Sequence, residues 1–127
     1  MTLALDLPFT RPVARTETPV LIDLDTCRLL RPDGREGPRL QGKPLAFLSA
    51  LVTRPGAVVR YQAMVDHLWA HDHDVDTAGG VHFHARRLRD ALEAIGWPRS
   101  VVGNVEGAGW YVDMDVVEQV RREARGE

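Results

Sequence analysis

Gly79 to Leu92, GGVHFHARRLRDAL, is the stretch on which the reading of this chain turns. At about 3.6 residues per turn, Val81, Ala85, Leu88 and Leu92 fall on one stripe, which Ile95 continues. His82, Arg86, Arg89 and part of Arg87 face the other way. A helix with one packed face and one arginine-rich face suits a major groove or an acidic partner surface. Any solvated amphipathic helix has the same pattern, so the surrounding sequence has to decide.

The 127 residues leave room for one domain with a terminal extension, and a 44% hydrophobic fraction with three tryptophans is enough for a small core. A net charge of −2 gives no global basic signature, although a local basic face can survive within an acidic whole. The acid is concentrated at Asp66, Asp72, Asp74 and Asp76. The single cysteine, Cys27, excludes an intramolecular disulfide framework and fits a reducing compartment. No apolar run approaches the roughly 18 residues of a membrane span. The first residues, MTLALDLPFTRPVAR, lack the basic start and long apolar core of a signal peptide. The expectation is a cytoplasmic protein without a membrane partner.

Leu3, Leu5, Leu7 and Phe9 alternate as a strand would, but Pro8 restricts them to an edge strand or an arm. Thr10 to Pro19 reads as a linker, so residues 1–19 form an arm. Val20, Ile22 and Leu24 alternate again. Cys27–Arg31 and Arg35–Leu40 then flank Pro32-Asp33-Gly34, a turn in which proline presets φ and glycine supplies φ > 0. A small antiparallel sheet follows, with Arg28, Arg31, Arg35 and Arg39 on a solvated strand face.

Pro44 suits the first turn of a helix, where its missing N–H costs nothing. Leu45, Leu48, Leu51 and Val52 give that helix its apolar stripe, with Phe47 beside it, and Arg54-Pro55-Gly56 stops it. A second helix is predicted from about Arg60 to Ala70, carrying Met64, Val65, Leu68 and Trp69 inward. His71 to Gly80 is a polar connection, and the arginine-rich helix comes next, ending near Gly96-Trp97-Pro98. Helix, helix, loop, basic helix is the order of a helix-turn-helix with an elongated turn.

Val101–Val105 and Trp110–Asp113 are β-rich runs joined by Glu106-Gly107-Ala108-Gly109, whose two glycines permit the φ > 0 geometry of a tight hairpin. A hairpin directly after such a helix is a wing. Val116, Val117, Val120 and Ala124 lie on one side of a last short helix, and Arg121, Arg122 and Arg125 on the other.

From Val20 to Val112 the chain resembles the winged-helix effector domain of OmpR/PhoB-type transcription factors. The resemblance runs through LQGKPLAFLSAL (40–51), RPGAVV (54–59), MVDHLW (64–69), VHFHARRLRDAL (81–92) and VEGAGWYV (105–112). It implies an α+β winged helix-turn-helix over residues 20–114, with an N-terminal antiparallel sheet, a three-helix core and a C-terminal β-hairpin wing. Residues 115–127 are left as a tail. It also implies a sequence-specific regulator of transcription that binds double-stranded DNA. Its third helix, about 79–95, would enter the major groove, and hairpin 101–113 would serve as wing. His84, Arg86, Arg87 and Arg89 match polar and basic positions of the family's recognition helix, and His82 joins them as a candidate contact. Lys43, Arg60 and Tyr61 stand at helix starts, where free N–H groups favour backbone phosphate. The 71–80 connection matches the loop that family members offer to RNA polymerase.

The chain departs from the family in four ways. Gly79 replaces a phosphate-binding arginine, and Glu106 and Tyr111 replace basic wing residues, so Glu106 repels phosphate. Lys43-Pro44 and Arg60 replace polar residues at two helix starts. No receiver domain is recognisable, so regulation by abundance, partner or ligand is expected.

Other chemistry finds less support. All five histidines lie between positions 67 and 84, and His67, His71 and His73 are the candidates for sharing a metal. There is no cysteine ligand and no H-E-x-x-H pattern, so no metal or cofactor site is assigned. No nucleophile with a base, phosphate cradle or paired carboxylates suggests an enzyme. The rival reading is a protein-binding winged helix that contacts RNA polymerase or another regulator, with DNA binding weak or lost. A homodimer on a repeated or palindromic site is compatible with so small a domain.

Overall fold

The computed structural model describes residues 19–70 and 77–126. The arm read at positions 1–19 therefore lies outside it, except for Pro19. Three short strands, β1 (Ile22–Asp23), β2 (Arg28–Leu30) and β3 (Glu36–Arg39), form an antiparallel sheet in the order β1-β2-β3. Ile22 faces Leu29, and Leu30 faces Glu36. At the second turn the Gly34 N–H donates to the Arg31 carbonyl at 2.8 Å, with Gly34 at φ +93°. The first turn departs from the predicted alternation. The Asp23 carboxylate accepts the Asp25 N–H, Cys27 takes φ +60°, and Leu24 is turned out to 48% exposure. Arg28 is not purely solvated either, since its guanidinium donates to the Gly37 carbonyl at 3.3 Å.

Helix α1 (Gly42–Thr53) has Pro44 in its first turn, as predicted, and ends at Arg54. Its stripe is rotated from the expected one. Phe47 is fully buried with Leu48 and Leu51, whereas Leu45 and Val52 are only partly covered. The reason is Trp110, whose ring meets Phe47 edge-on at 5.1 Å and draws that side of the helix inward. A two-residue strand, β4 (Val59–Arg60), leads directly into α2 (Tyr61–Leu68), and α3 spans Thr77–Ala94.

After a 3-10 turn (Arg99–Val101), β5 (Val102–Val105) and β6 (Gly109–Val112) form the hairpin. The second sheet has the order β4-β6-β5, with Val59 opposite Trp110 and Asn104 opposite Trp110 on the other side. This antiparallel sheet fastens the hairpin to the entrance of α2. One core joins all layers: Leu21, Ile22 and Leu29 from the first sheet, the inner faces of α1, α2 and α3, and Trp97, Val101, Val102, Trp110 and Val112. The Trp97 indole also donates to the Leu30 carbonyl at 2.8 Å, joining the end of α3 to the first sheet.

The last helix, α4 (Met114–Ala124), is capped by Asp113, whose carboxylate accepts the N–H groups of Asp115 and Val116. It packs through Val117, with Val116 and Val120 partly covered. Arg121 does not share the open side with Arg122 and Arg125, because its guanidinium donates to the Pro19 carbonyl at 2.6 Å. Among the described residues no helix is long and apolar enough to cross a membrane. The fold is α+β, a winged helix.

Candidate nucleic-acid interface

Helix α3 is positioned by its inner stripe. Val81, Ala85, Leu88 and Leu92 are essentially inaccessible, packed against α1 and α2. Its outward ridge consists of His82, Phe83, Arg86, Arg87 and Asp90, all exposed. Phe83 is 46% exposed and lies under the Arg87 guanidinium, 5.6 Å from its ring centre. The pattern of the helix alone did not single out Phe83. An aromatic ring left on the polar face of a helix was the available signal.

His82 and His84 diverge, as their spacing of two requires. The His82 ring lies on the wing side, 5.5 Å from Trp110 and 5.9 Å from Tyr61, which themselves stack at 5.8 Å. His84 lies on the α1 side, 6.0 Å from Trp69. Its Nδ1 is buried and meets no hydrogen-bond partner among the described residues. Burial, then the nearby charges of Lys43 and Arg87, hold its pKa below the ordinary histidine value. A neutral, half-buried imidazole is a poor phosphate contact.

Two expected contacts are committed elsewhere. Arg89 donates from Nε and Nη2 to the Val102 carbonyl at 3.1 and 2.7 Å. Burial first, and Arg99 second, lower its pKa, yet a guanidinium remains charged at any physiological pH. Arg89 therefore fastens the hairpin to α3 and is not freely extended toward bases. Lys43 donates to the Leu68 carbonyl at 3.0 Å with its ammonium 5.3 Å from the Trp69 ring centre. It thus reaches from the start of α1 to the C-terminal end of α2. Arg60 occupies the N-cap position of α2 with its side chain exposed. Beside it, the Tyr61 N–H donates to the Ala108 carbonyl at 2.8 Å.

The wing turn spans Glu106–Ala108, closed by the Ala108 N–H on the Val105 carbonyl at 2.9 Å. Only one of its glycines serves the predicted purpose. Gly107 has φ +79°, but Gly109 is needed because a Cβ there would strike the carbonyl of Val59 across the sheet. Gly103 similarly leaves room for the Tyr111 ring, which lies over it. Asn104 braces the hairpin with a 3.0 Å hydrogen bond to the Gly109 carbonyl. Glu106 and Val105 are exposed at the tip, Val105 at 40%.

Between α3 and the wing lies an open cleft of about 640 Å³, bordered by His82, Arg86, Arg89, Arg99, Asn104 and Tyr111. Three arginines, Arg86, Arg89 and Arg99, line it beside the outward ridge of α3, together with Asp113. Arg99, on its border, is paired with Asp90 and Glu93 at 2.7 and 3.1 Å.

Of the metal candidates, His71 and His73 lie outside the described residues, as does most of the 71–80 connection matched to a polymerase-contacting loop. His67 has its Nε2 3.4 Å from the Ser49 hydroxyl. Among the described residues no three histidine, cysteine or carboxylate side chains are grouped for a metal.

Several solved structures share this architecture. The response regulator AdeR DNA-binding domain, solved in complex with an intercistronic region, has a TM-score of 0.60 at 22% identity. That match covers 76% of this chain and 96% of AdeR's. The C-terminal domain of the nisin resistance regulator NsrR, a lantibiotic response regulator, has a TM-score of 0.53 at 24% identity, covering 70% and 93% respectively. A member of a family of redox sensors in the streptococci, evolved from two-component response regulators, has a TM-score of 0.60 at 20% identity. It is matched over 88% of this chain but 44% of its own. At such identities the likeness is one of fold. Among curated proteins none is similar enough to match. The family described as transcriptional regulatory protein, C terminal, matches residues 34–112, more than half of the sequence. It is a family of DNA-binding regulatory domains and not an enzyme class. The chain belongs to that family, the OmpR/PhoB-type winged-helix DNA-binding domains of transcriptional regulators.

Proposed function

We propose that the protein binds double-stranded DNA sequence-specifically through α3 in the major groove, with the β5–β6 hairpin along the neighbouring backbone, and so regulates transcription. The observation that carries this reading is the outward ridge of α3. Arg86, Arg87 and Phe83 stand exposed on a helix whose opposite face is locked in the core. The intercistronic region bound by AdeR adds support, since that domain shares the fold. Arg86 and Arg87 supply the donors that guanine or phosphate accepts, and Phe83 offers an apolar face to a thymine methyl. Arg60 and Tyr61 at the start of α2, and His82 beside the wing, contact the backbone. Residues 20–114 are the binding unit, with α4 packed onto it.

The test is duplex binding across a range of salt. A slope of about −0.9 in log K against log salt for each phosphate engaged, together with one enriched motif from random duplexes, meets this reading. No duplex binding at low salt defeats it. Half-site spacing in that motif reports whether two copies bind together. A second reading rests on the wing tip, where exposed Val105 stands beside Glu106. An acidic, apolar tip is unsuited to a minor groove and suits a protein surface, such as RNA polymerase, reached while α3 holds DNA.

A further inference from the structure

Asp90 is an anomaly on a helix that presents itself to a polyanion. It sits on the outermost line of α3, seven residues after Phe83 and four after Arg86, with its side chain 58% exposed. A carboxylate there repels phosphate, so a surface selected only for charge would not hold it. It is also not a loose surface group. Arg99, from the turn that precedes β5, donates through one nitrogen to Asp90 Oδ1 at 2.7 Å and to Glu93 Oε1 at 3.1 Å. The contact holds Oδ1 and partly compensates the charge of Asp90, while Oδ2 makes no hydrogen bond among the described residues and the side chain stays 58% exposed. A carboxylate accepts hydrogen bonds and donates none. In the major groove the donors are the exocyclic amines of cytosine and adenine, and the pairing a carboxylate favours is with cytosine N4.

Spacing agrees with a base-reading role. A helix rises about 1.5 Å per residue, so Asp90 lies about 6 Å beyond Arg86 along the axis. That is close to two base-pair steps of about 3.4 Å. Resting on the DNA-binding reading above, we infer that Asp90, held by Arg99, is a specificity-determining residue that selects a cytosine about two base pairs from the base read by Arg86. The negative charge lowers affinity for every sequence and lowers it least where that amine is present. Discrimination is gained by penalising the wrong sites.

The experiment is selection from random duplexes with the full chain, comparing the wild type with Asp90→Ala, Asp90→Asn and Glu93→Ala. Glu93→Ala breaks the other half of the Arg99 contact without removing the proposed reader. The expected result is a G·C pair in the wild-type motif whose preference, about five- to tenfold, is lost in both Asp90 variants and kept in Glu93→Ala. Removing the charge should also strengthen binding to unrelated duplex. Asp90→Asn guards against a folding failure, because its amide oxygen can still accept from Arg99. If the wild type selects a motif and the Asp90 variants select the same one with the same stringency, Asp90 is only a tether for Arg99 and this inference is overturned. If the wild type selects no motif and binds no duplex, the DNA-binding reading itself has failed and the inference falls with it.

Discussion

Arg89 and Val102 join α3 to the β5–β6 hairpin: one guanidinium spans 13 positions of sequence to place two hydrogen bonds, of 3.1 and 2.7 Å, on one carbonyl. Val102 is the first residue of β5 and is buried, so the link sits at the root of the hairpin. A positive charge that sequence alone assigns to DNA is here part of the frame.

Replacing Arg89 with Ala should therefore lower stability by about 1.5–3 kcal/mol, the range for a hydrogen bond involving a charged group. DNA affinity should fall by a similar factor for all sequences, since the wing loses its anchor. Chemical denaturation and motif selection measure the two effects. A changed base preference at a single position would mean that Arg89 reads a base.

Arg86→Ala behaves differently. Arg86 is exposed and makes no hydrogen bond or ion pair among the described residues, so the melting temperature should move little. Affinity for the preferred site should drop by about 1–3 kcal/mol and the preference at one position should relax. Titrations on matched and mismatched duplexes check this. Equal losses on both would assign Arg86 to phosphate.

His84 makes stability depend on pH. Its pKa in the fold lies below the ordinary value of 6.5, mainly through burial. The unfolded chain thus binds the proton more readily. Stability is greatest above about pH 6.5 and declines as pH falls from there toward the lowered folded value. His84→Gln, which cannot titrate, should flatten the change in melting temperature between pH 7.5 and pH 5.5. An unchanged slope in that variant would place the titrating group elsewhere.

Gly109→Ala tests the close approach of β4 to the wing. The added Cβ meets the Val59 carbonyl, which is backbone and cannot swing aside. Loss of about 2 kcal/mol or more is expected, within the range of strongly destabilising substitutions. Gly107→Ala, at a turn with open space around it, should cost about 1 kcal/mol through its positive φ alone. Equal effects at the two sites would contradict the packing at Gly109.

The three helices are legible because each carries a periodic apolar pattern long enough to count, with Pro55-Gly56 and Gly96-Trp97-Pro98 ending two of them, and the hairpin because Gly107 and Gly109 sit between two β-rich runs. Strand β4 is not. Two residues have no period, and Val59–Arg60 becomes a strand only because β6 lies alongside. Phe47 stands beside the apolar stripe in sequence and is buried in the fold against Trp110, a partner remote along the chain. The destinations of long cationic side chains were the least legible part of the site. Lys43 reaches a carbonyl 25 positions away and Arg89 one 13 away, and composition cannot distinguish such tethers from free charges. Arg86 and Arg87 face outward as the helical period requires. Phe83 is not marked by the helical period, since it stands among the charges of the polar stripe.

The pairing of Val59 with Trp110, and the hydrogen bond from the Tyr61 N–H to the Ala108 carbonyl, tie the start of α2 to the hairpin through backbone hydrogen bonds. The angle between the start of α2 and the hairpin is thus fixed before any partner arrives. Little conformational entropy is left to lose on contact, so whatever surface the wing meets is selected by shape rather than accommodated. A ligand that required the hairpin to swing would first have to unzip β4 from β6.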